Sequence, residues 1–324
     1  MPIRPADHGI FAGAVAAASG AGYIGGGATG TDTPQTTIDK FAFSNDARST
    51  LGSGLASGVY LLSGFGNAGV AGYFAGGNGS PQQDDIWKTN FADDTQSTLS
   101  AALPDNVNTH ASMSNVAVAG YTAGGESSGG VQAHTSIDKL TYSSEAMSTL
   151  SASLATGRRQ VAAFANSGTA GYVAGGNQGA SSPTYYATAI IDKIAFPGDA
   201  VSVLSATLSD ITRQSTGFAN SGTAGYICLG RADGTIVATV DKLTFSGESR
   251  STLGTGLSAA SATNSAMANS GTAGYVAVAG APGSYATTVD KFAFPGDSRS
   301  TLGTGLSSNR GECAGMANEG SLAP

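Results

Sequence analysis

A seven-residue stretch, Ala170-Gly171-Tyr172-Val173-Ala174-Gly175-Gly176, recurs in altered form along the chain and constrains its fold more than any other feature. Its Ala-Gly-Tyr core starts at Ala21, Ala71, Ala119, Ala170, Ala224 and Ala273, so successive copies lie 50, 48, 51, 54 and 49 residues apart. A period near 50 on strand-forming residues marks an array in which each repeat is one small sheet stacked on its neighbours.

The fourth repeat serves as reference. Residues 159–165 read as a first strand, and Asn166-Ser167-Gly168 as a hairpin with Asn and Gly available for positive φ. Residues 170–176 form the second strand, and the loop 177–185 is rich in Gly, Ser and Pro. Residues 186–196 form the third strand. Pro197-Gly198-Asp199 reads as a type II turn with Gly198 at positive φ, and residues 201–208 as the fourth strand. Three successive hairpins make a four-stranded antiparallel meander, one blade. Six copies predict an all-β, six-bladed β-propeller over residues 21–324, with residues 1–20 as an N-terminal arm. The first-strand pattern is poor before Ala21 but returns at Gly315-Met316-Ala317-Asn318, so the C-terminal strand is expected to complete the first blade.

Each third strand carries a lysine. Lys40, Lys88, Lys139, Lys193, Lys242 and Lys291 are the only lysines in the chain, and all but Lys88 follow an Asp. Neighbours on a strand point to opposite faces, so the Asp of one blade is expected to meet the Lys of the next in a ring of ion pairs. The repeat glycines read as positions of close backbone approach and bends. No Gly-rich run is followed by the Lys-Ser/Thr of a phosphate loop.

A net charge of −7, with only 11% charged residues, offers no basic patch for nucleic acid. No apolar run is long enough for a membrane-spanning helix. Residues 9–18 have the length of a signal-peptide core, but Pro5 and Asp7 fit that reading poorly. Cys228 and Cys313 occupy different repeat positions and read as small core residues. His8, His110 and His134 have no ligand-spaced partner, so neither metal nor other cofactor is expected. The acidic pairs Asp84-Asp85 and Asp93-Asp94 fall in or beside turns and read as solvated.

Three features together resemble kelch-type repeats: a first strand opening with Arg (Arg159, Arg213, Arg310), a double glycine (Gly26-Gly27, Gly76-Gly77, Gly124-Gly125, Gly175-Gly176), and short third and fourth strands. The kelch Trp is absent, and the last two repeats replace the double glycine with Leu229-Gly230 and Val278-Ala279. The string Tyr-x-x-Gly-Gly, then Ile-Asp-Lys-Phe-x-Phe, then Ser-Thr-Leu is similar to the kelch-like repeat proteins of tailed bacteriophages of marine and cyanobacterial type. That resemblance implies a virion component, present in many copies as a fibre, spike or surface protein and not an enzyme. The alternatives left open are a secreted carbohydrate-binding propeller of cellular origin and an enzyme on a propeller scaffold.

Variation concentrates in the loop after the second strand, and these loops emerge on one face of a propeller. Tyr185, Tyr186, His134 and Tyr285 lie in or near them and are the candidate residues for a host receptor or glycan, because exposed aromatics beside Asn, Ser and Gln suit a sugar face. The alternative is that Tyr185 and Tyr186 merely cap the blade. Residues 10–16, Ile-Phe-Ala-Gly-Ala-Val-Ala, are apolar and would be an aggregation hazard if bare, so the arm is expected to attach the propeller to another virion protein or a second copy.

Overall fold

A computed structural model describes residues 20–30, 32–127, 133–179 and 186–318. Among them there is no helix, and the architecture is β-propeller-like: six four-stranded antiparallel sheets, each a meander, with small two- and three-stranded ribbons between their loops. In the fourth repeat the order is Ala162–Asn166, Ala170–Ala174, Ile191–Ala195 and Ala200–Val203. The third and fourth strands are shorter than expected. Before Ile191 the chain makes only isolated bridges, Asn177 to Ala187 and Thr188 to Thr212, which tie the loop to neighbouring loops instead of extending the sheet.

The first sheet is completed from the far end of the chain. Ala314–Asn318 pairs with Ala21–Gly25, Met316 opposite Tyr23, as the sequence led one to expect. Arg310 secures the junction. Its buried Nη2 donates to Asp39 Oδ2 at 3.0 Å and to Ile24 O at 3.1 Å, and the Ser307 N–H donates to the same carboxylate at 2.8 Å. Residues 1–19, which hold nearly all of the expected arm, lie outside the described residues.

The hairpin after the first strand forms as read. Gly168 takes φ 75°, and the Thr169 N–H donates to Asn166 O at 2.9 Å. The strand-ending Asn reaches onward: Asn318 Oδ1 accepts from the Gly69 N–H, Asn67 from Ala117, Asn115 from Gly168, Asn166 from Gly222 and Asn220 from Gly271. Each of these five asparagines caps the tight turn of the next sheet.

The turn between the third and fourth strands differs from its reading. The left-handed residue is Asp199 at φ 56°, not Gly198. Residues 196–199 form a four-residue loop closed by the Asp199 N–H on Ala195 O at 2.8 Å, which puts positive φ on the last loop residue. The same place is acidic and left-handed in every repeat: Asp46, Asp94, Glu145, Asp199, Glu248 and Asp297.

These acids correct the expected Asp–Lys ring. Each lysine pairs with the turn acid of the following sheet: Lys40 with Asp94 (2.7 Å), Lys88 with Glu145 (2.6 Å), Lys139 with Asp199 (2.6 Å), Lys193 with Glu248 (2.6 Å), Lys242 with Asp297 (2.6 Å) and Lys291 with Asp46 (2.7 Å). The repeat tyrosine donates its hydroxyl to the same acid at 2.6–3.1 Å. Its ring stacks on the aromatic that opens the same turn, Tyr121 on Phe196 at 5.0 Å for example. The strand Asp turns the other way. Asp39, Asp138, Asp241 and Asp290 accept from Thr50, Thr149, Thr252 and Thr301 of their own fourth strand. Asp241 and Asp290 also accept backbone N–H groups of the connection arriving from the previous sheet, Ser209 and Ser258. The lysine stem spans the gap to the following sheet, while the shorter Asp is buried and serves its own fourth strand and the connection arriving from the previous sheet.

Glycine in Ala-Gly-Tyr is a socket. The first-strand Met or Phe of the preceding sheet fills the space where its Cβ would sit: Met267 at Gly22, Met316 at Gly72, Phe65 at Gly120, Met113 at Gly171, Phe164 at Gly225 and Phe218 at Gly274. This side-chain-to-backbone packing accounts for six of the repeat glycines. Cys228 and Cys313 are buried and unbridged, as small core residues.

Candidate functional site

The first strand of every sheet is an end strand, and all six line one cavity of about 230 Å³. At its mouth each repeat contributes one residue with a left-handed backbone: Leu61, Thr109, Gln160, Gln214, Thr263 and Glu312, with φ between 55° and 59°. They are joined by main-chain hydrogen bonds. The Leu61 N–H donates to Glu312 O (2.8 Å), Thr109 to Leu61 O (3.0 Å), Gln160 to Thr109 O (2.8 Å), Thr263 to Gln214 O (3.2 Å) and Glu312 to Thr263 O (3.1 Å).

Below the mouth the wall is made of small residues, among them Ala162, Ala163, Gly217 and Gly315. A second cavity, about 140 Å³, follows toward the Asn-capped turns and is lined by Phe65, Met113, Phe164, Phe218, Met267 and Met316 together with small residues. The two ends of the space therefore differ: polar at the mouth, more apolar at the turn side.

Titratable groups at the mouth are few. His110 is buried, accepts from or donates to Ser63 Oγ at 2.7 Å, and burial pushes it down to about 4, so it is neutral at physiological pH. Burial pushes Glu312 up to about 7, the charge of Asp32 adds to this, and the Tyr285 side chain opposes it. Tyr285 is itself pushed up to about 12, first by burial and then by Glu312. Glu126 and Arg159 form an ion pair at the rim. Gln160 Oε1 and Thr109 Oγ1 are buried with no hydrogen-bond partner. Among the described residues no group of three His, Cys, Asp or Glu is placed to hold a metal ion.

Of the sequence-derived candidates, Tyr186, His134 and Tyr285 lie among the described residues and differ in exposure. Tyr186 is 60% exposed. Tyr285 is only 8% exposed and packs with Ala28 and Ala279, so its ring presents no stacking face. His134 is partly buried and works through its backbone, donating to Gly125 O at 2.9 Å and accepting from the Arg158 N–H at 3.0 Å. Tyr185 lies outside the described residues. Sequence reasoning missed the six mouth residues. Left-handed backbone is signalled by Gly, Asn or Asp, and none of the six is one of these.

The kelch-like arginines need one correction. Arg310 is equivalent to Arg158, not to Arg159: both lie eight residues before the strand-ending Asn, are fully buried, and pair with a strand-three aspartate, Asp39 and Asp192. Burial pulls Arg158 down and Asp192 up, each opposed by the other's charge.

No protein-family model and no curated protein matches the chain. Among solved structures it is similar to that of YjhT, with a TM-score of 0.62 at 16% identity, covering 80% of this chain and 87% of that one. At such identity the likeness concerns the fold alone.

Proposed function

We propose that the six sheets are the blades of a closed six-bladed propeller, and that the chain is a non-enzymatic structural or adhesion module on the exterior of a tailed-phage particle. The arrangement that supports closure is the continuation of the Lys–acid and Met–Gly contacts between sheets across the chain ends, Lys291 to Asp46 and Met267 at Gly22, together with the pairing of Ala314–Asn318 on Ala21–Gly25. One observation carries the functional reading. The repeated Tyr, Lys and acidic residues are all engaged in holding one sheet to the next, while the six residues at the mouth of the central cavity share no such contact between side chains. A scaffold of this kind presents a binding face.

The phage assignment rests on the kelch-like repeat string, and the partner on the particle would be reached through residues 1–20. Mass spectrometry of purified particles tests it: the chain should be found in virions, and its absence would sink the reading. Deleting residues 1–20 should leave a soluble, folded propeller that no longer joins its assembly. Replacing Tyr185 and Tyr186 by Ala tests the loop face, with loss of cell or glycan binding expected at an unchanged melting temperature.

A further inference from the structure

The mouth residues are anomalous as backbone. Left-handed φ is costly for a residue with a Cβ and costs glycine nothing. Elsewhere in the same repeats it falls on glycine, as at Gly26, Gly27 and Gly168, or on the turn acids, whose carboxylates are already used by the repeat Tyr and Lys, as Asp199 is by Tyr121 and Lys139. At the mouth the chain keeps Leu, Thr, Gln, Gln, Thr and Glu in that conformation. Strain held at one opening, by side chains a glycine could replace, points to a use for those side chains.

Main-chain hydrogen bonds hold each of the six mouth residues to a neighbour, five bonds in all, with Gln160 tied to Thr109 and Gln214 to Thr263 and the one gap lying between the two glutamines. Their chemistry is that of neutral polar recognition. Gln160 carries an amide that both donates and accepts, while Gln214 Oε1 accepts from Arg231 Nε at 3.2 Å and leaves its NH2 group to a ligand. Gln160 Oε1 and Thr109 Oγ1 are buried at the cavity without a partner, which is uncommon for polar atoms and marks a place for a polar occupant. Of the rim charges, Glu126 is paired with Arg159, and burial favours the neutral form of Glu312. The wall below adds main-chain groups, since each first strand has no further strand on its cavity side and carries small side chains there. A space of about 230 Å³ holds a handful of waters, or one sugar ring in their place.

We propose that the mouth seats a single neutral, hydroxyl-bearing sugar residue, held chiefly by the side chains of Gln160 and Gln214. This rests on the glycan-binding part of the function proposed above and adds a contact in the cavity to that of the loop face.

The test uses the full chain and a double variant, Gln160→Gly with Gln214→Gly. Glycine removes both amides and relieves the backbone. The probes are D-glucose, D-galactose and N-acetyl-D-glucosamine at millimolar concentration, followed by saturation-transfer NMR and titration. The wild type should bind at least one sugar. The double variant should lose about tenfold or more in affinity and melt at the same or a higher temperature. Equal binding by the double variant would overturn the site while leaving a glycan-binding loop face intact. A lower melting temperature would show that the glutamines serve folding, and would overturn it too. Failure of the wild type to bind any of the three sugars would also overturn it, whereas the virion reading is decided separately by particle composition.

Discussion

Replacing Gly225 by Ala should destabilise the protein by about 1–2 kcal/mol, although alanine is otherwise the more favourable residue. The added methyl would lie under 3.0 Å from three atoms of the Phe164 ring, the most distant of them Cγ at 2.9 Å. That ring cannot yield easily. It is 3% exposed, stacked on Tyr172 at 5.3 Å and close to Phe245 at 6.3 Å. Overpacking of a filled core costs about 1–3 kcal/mol, and the reduced freedom of the unfolded chain returns about 0.4–1 kcal/mol. Gly120 and Gly274, whose sockets hold Phe65 and Phe218, should behave alike. Gly22, Gly72 and Gly171 provide an internal control, because their sockets hold Met267, Met316 and Met113. Methionine has three rotatable bonds and adapts to irregular space, so alanine there should cost less than about 1 kcal/mol. Urea unfolding of the six single variants, compared by midpoint at unchanged slope, gives the ranking. The three phenylalanine sockets must fall below the three methionine sockets, and Phe164→Met should recover most of the loss in the Gly225→Ala background. A flat ranking, or a methionine socket costlier than Gly225, would refute the packing argument.

Three further outcomes follow from the same coordinates. Asp199→Asn keeps an acceptor for Tyr121 but removes the charge from Lys139, a pair at 2.6 Å with both side chains under a fifth exposed; it should cost about 1 kcal/mol in urea unfolding. Glu312 ionises near 7 in the folded chain against 4.5 as its ordinary value, so the stability present below pH 4.5 falls as pH rises to about 7. Glu312→Gln should therefore melt progressively above wild type between pH 5 and pH 8, whereas parallel melting curves across that range would contradict the burial of the carboxyl. The Cys228 thiol is fully buried, and burial pushes its ionisation up, so it should resist a thiol reagent until the chain unfolds; labelling of native protein at Cys228, read by mass spectrometry, would contradict this.

What could be read from the sequence was what repeats locally. The Ala-Gly-Tyr strand, the Asn-Ser-Gly hairpin and the returning Met316-Ala317-Asn318 each lie within one short segment, and all three took their expected places. The partner of each lysine was not local. Lys40 and Asp94 are 54 residues apart, and Lys291 and Asp46 are 245 apart, while the repeated strand Asp of the neighbouring sheet offered a tempting but wrong partner. A signal was present nonetheless. An acid stands three residues after an aromatic in every repeat, from Phe43 and Asp46 to Phe294 and Asp297, and a conserved spacing of that kind calls for a contact. The mouth of the cavity left no such signal, because its six positions share a backbone conformation and no side-chain type.

The arginines show how narrow the margin is between scaffold and site. Arg158 and Arg159 are adjacent, and either fits a pattern that asks for a basic residue before the first strand. Side chains one residue apart on an extended chain face opposite ways. Arg158 turns inward, fully buried, and donates to Gly175 O at 3.0 Å and Ile190 O at 3.1 Å beside its ion pair with Asp192. Arg159 turns to the rim and meets Glu126. At the place of Arg158 the other repeats carry Val59, Val107, Thr212, Ser261 and Arg310, so only two of six sheet junctions are held by a buried guanidinium. A lone buried charge would be expensive, and each of the two has its aspartate. The four remaining junctions use apolar or hydroxyl side chains, such as Thr212 on Leu229 O, which shows that the guanidinium is one solution among several to the same junction. The rim is different, because no repeated contact there fixes the residue type, and a ligand can therefore dictate it.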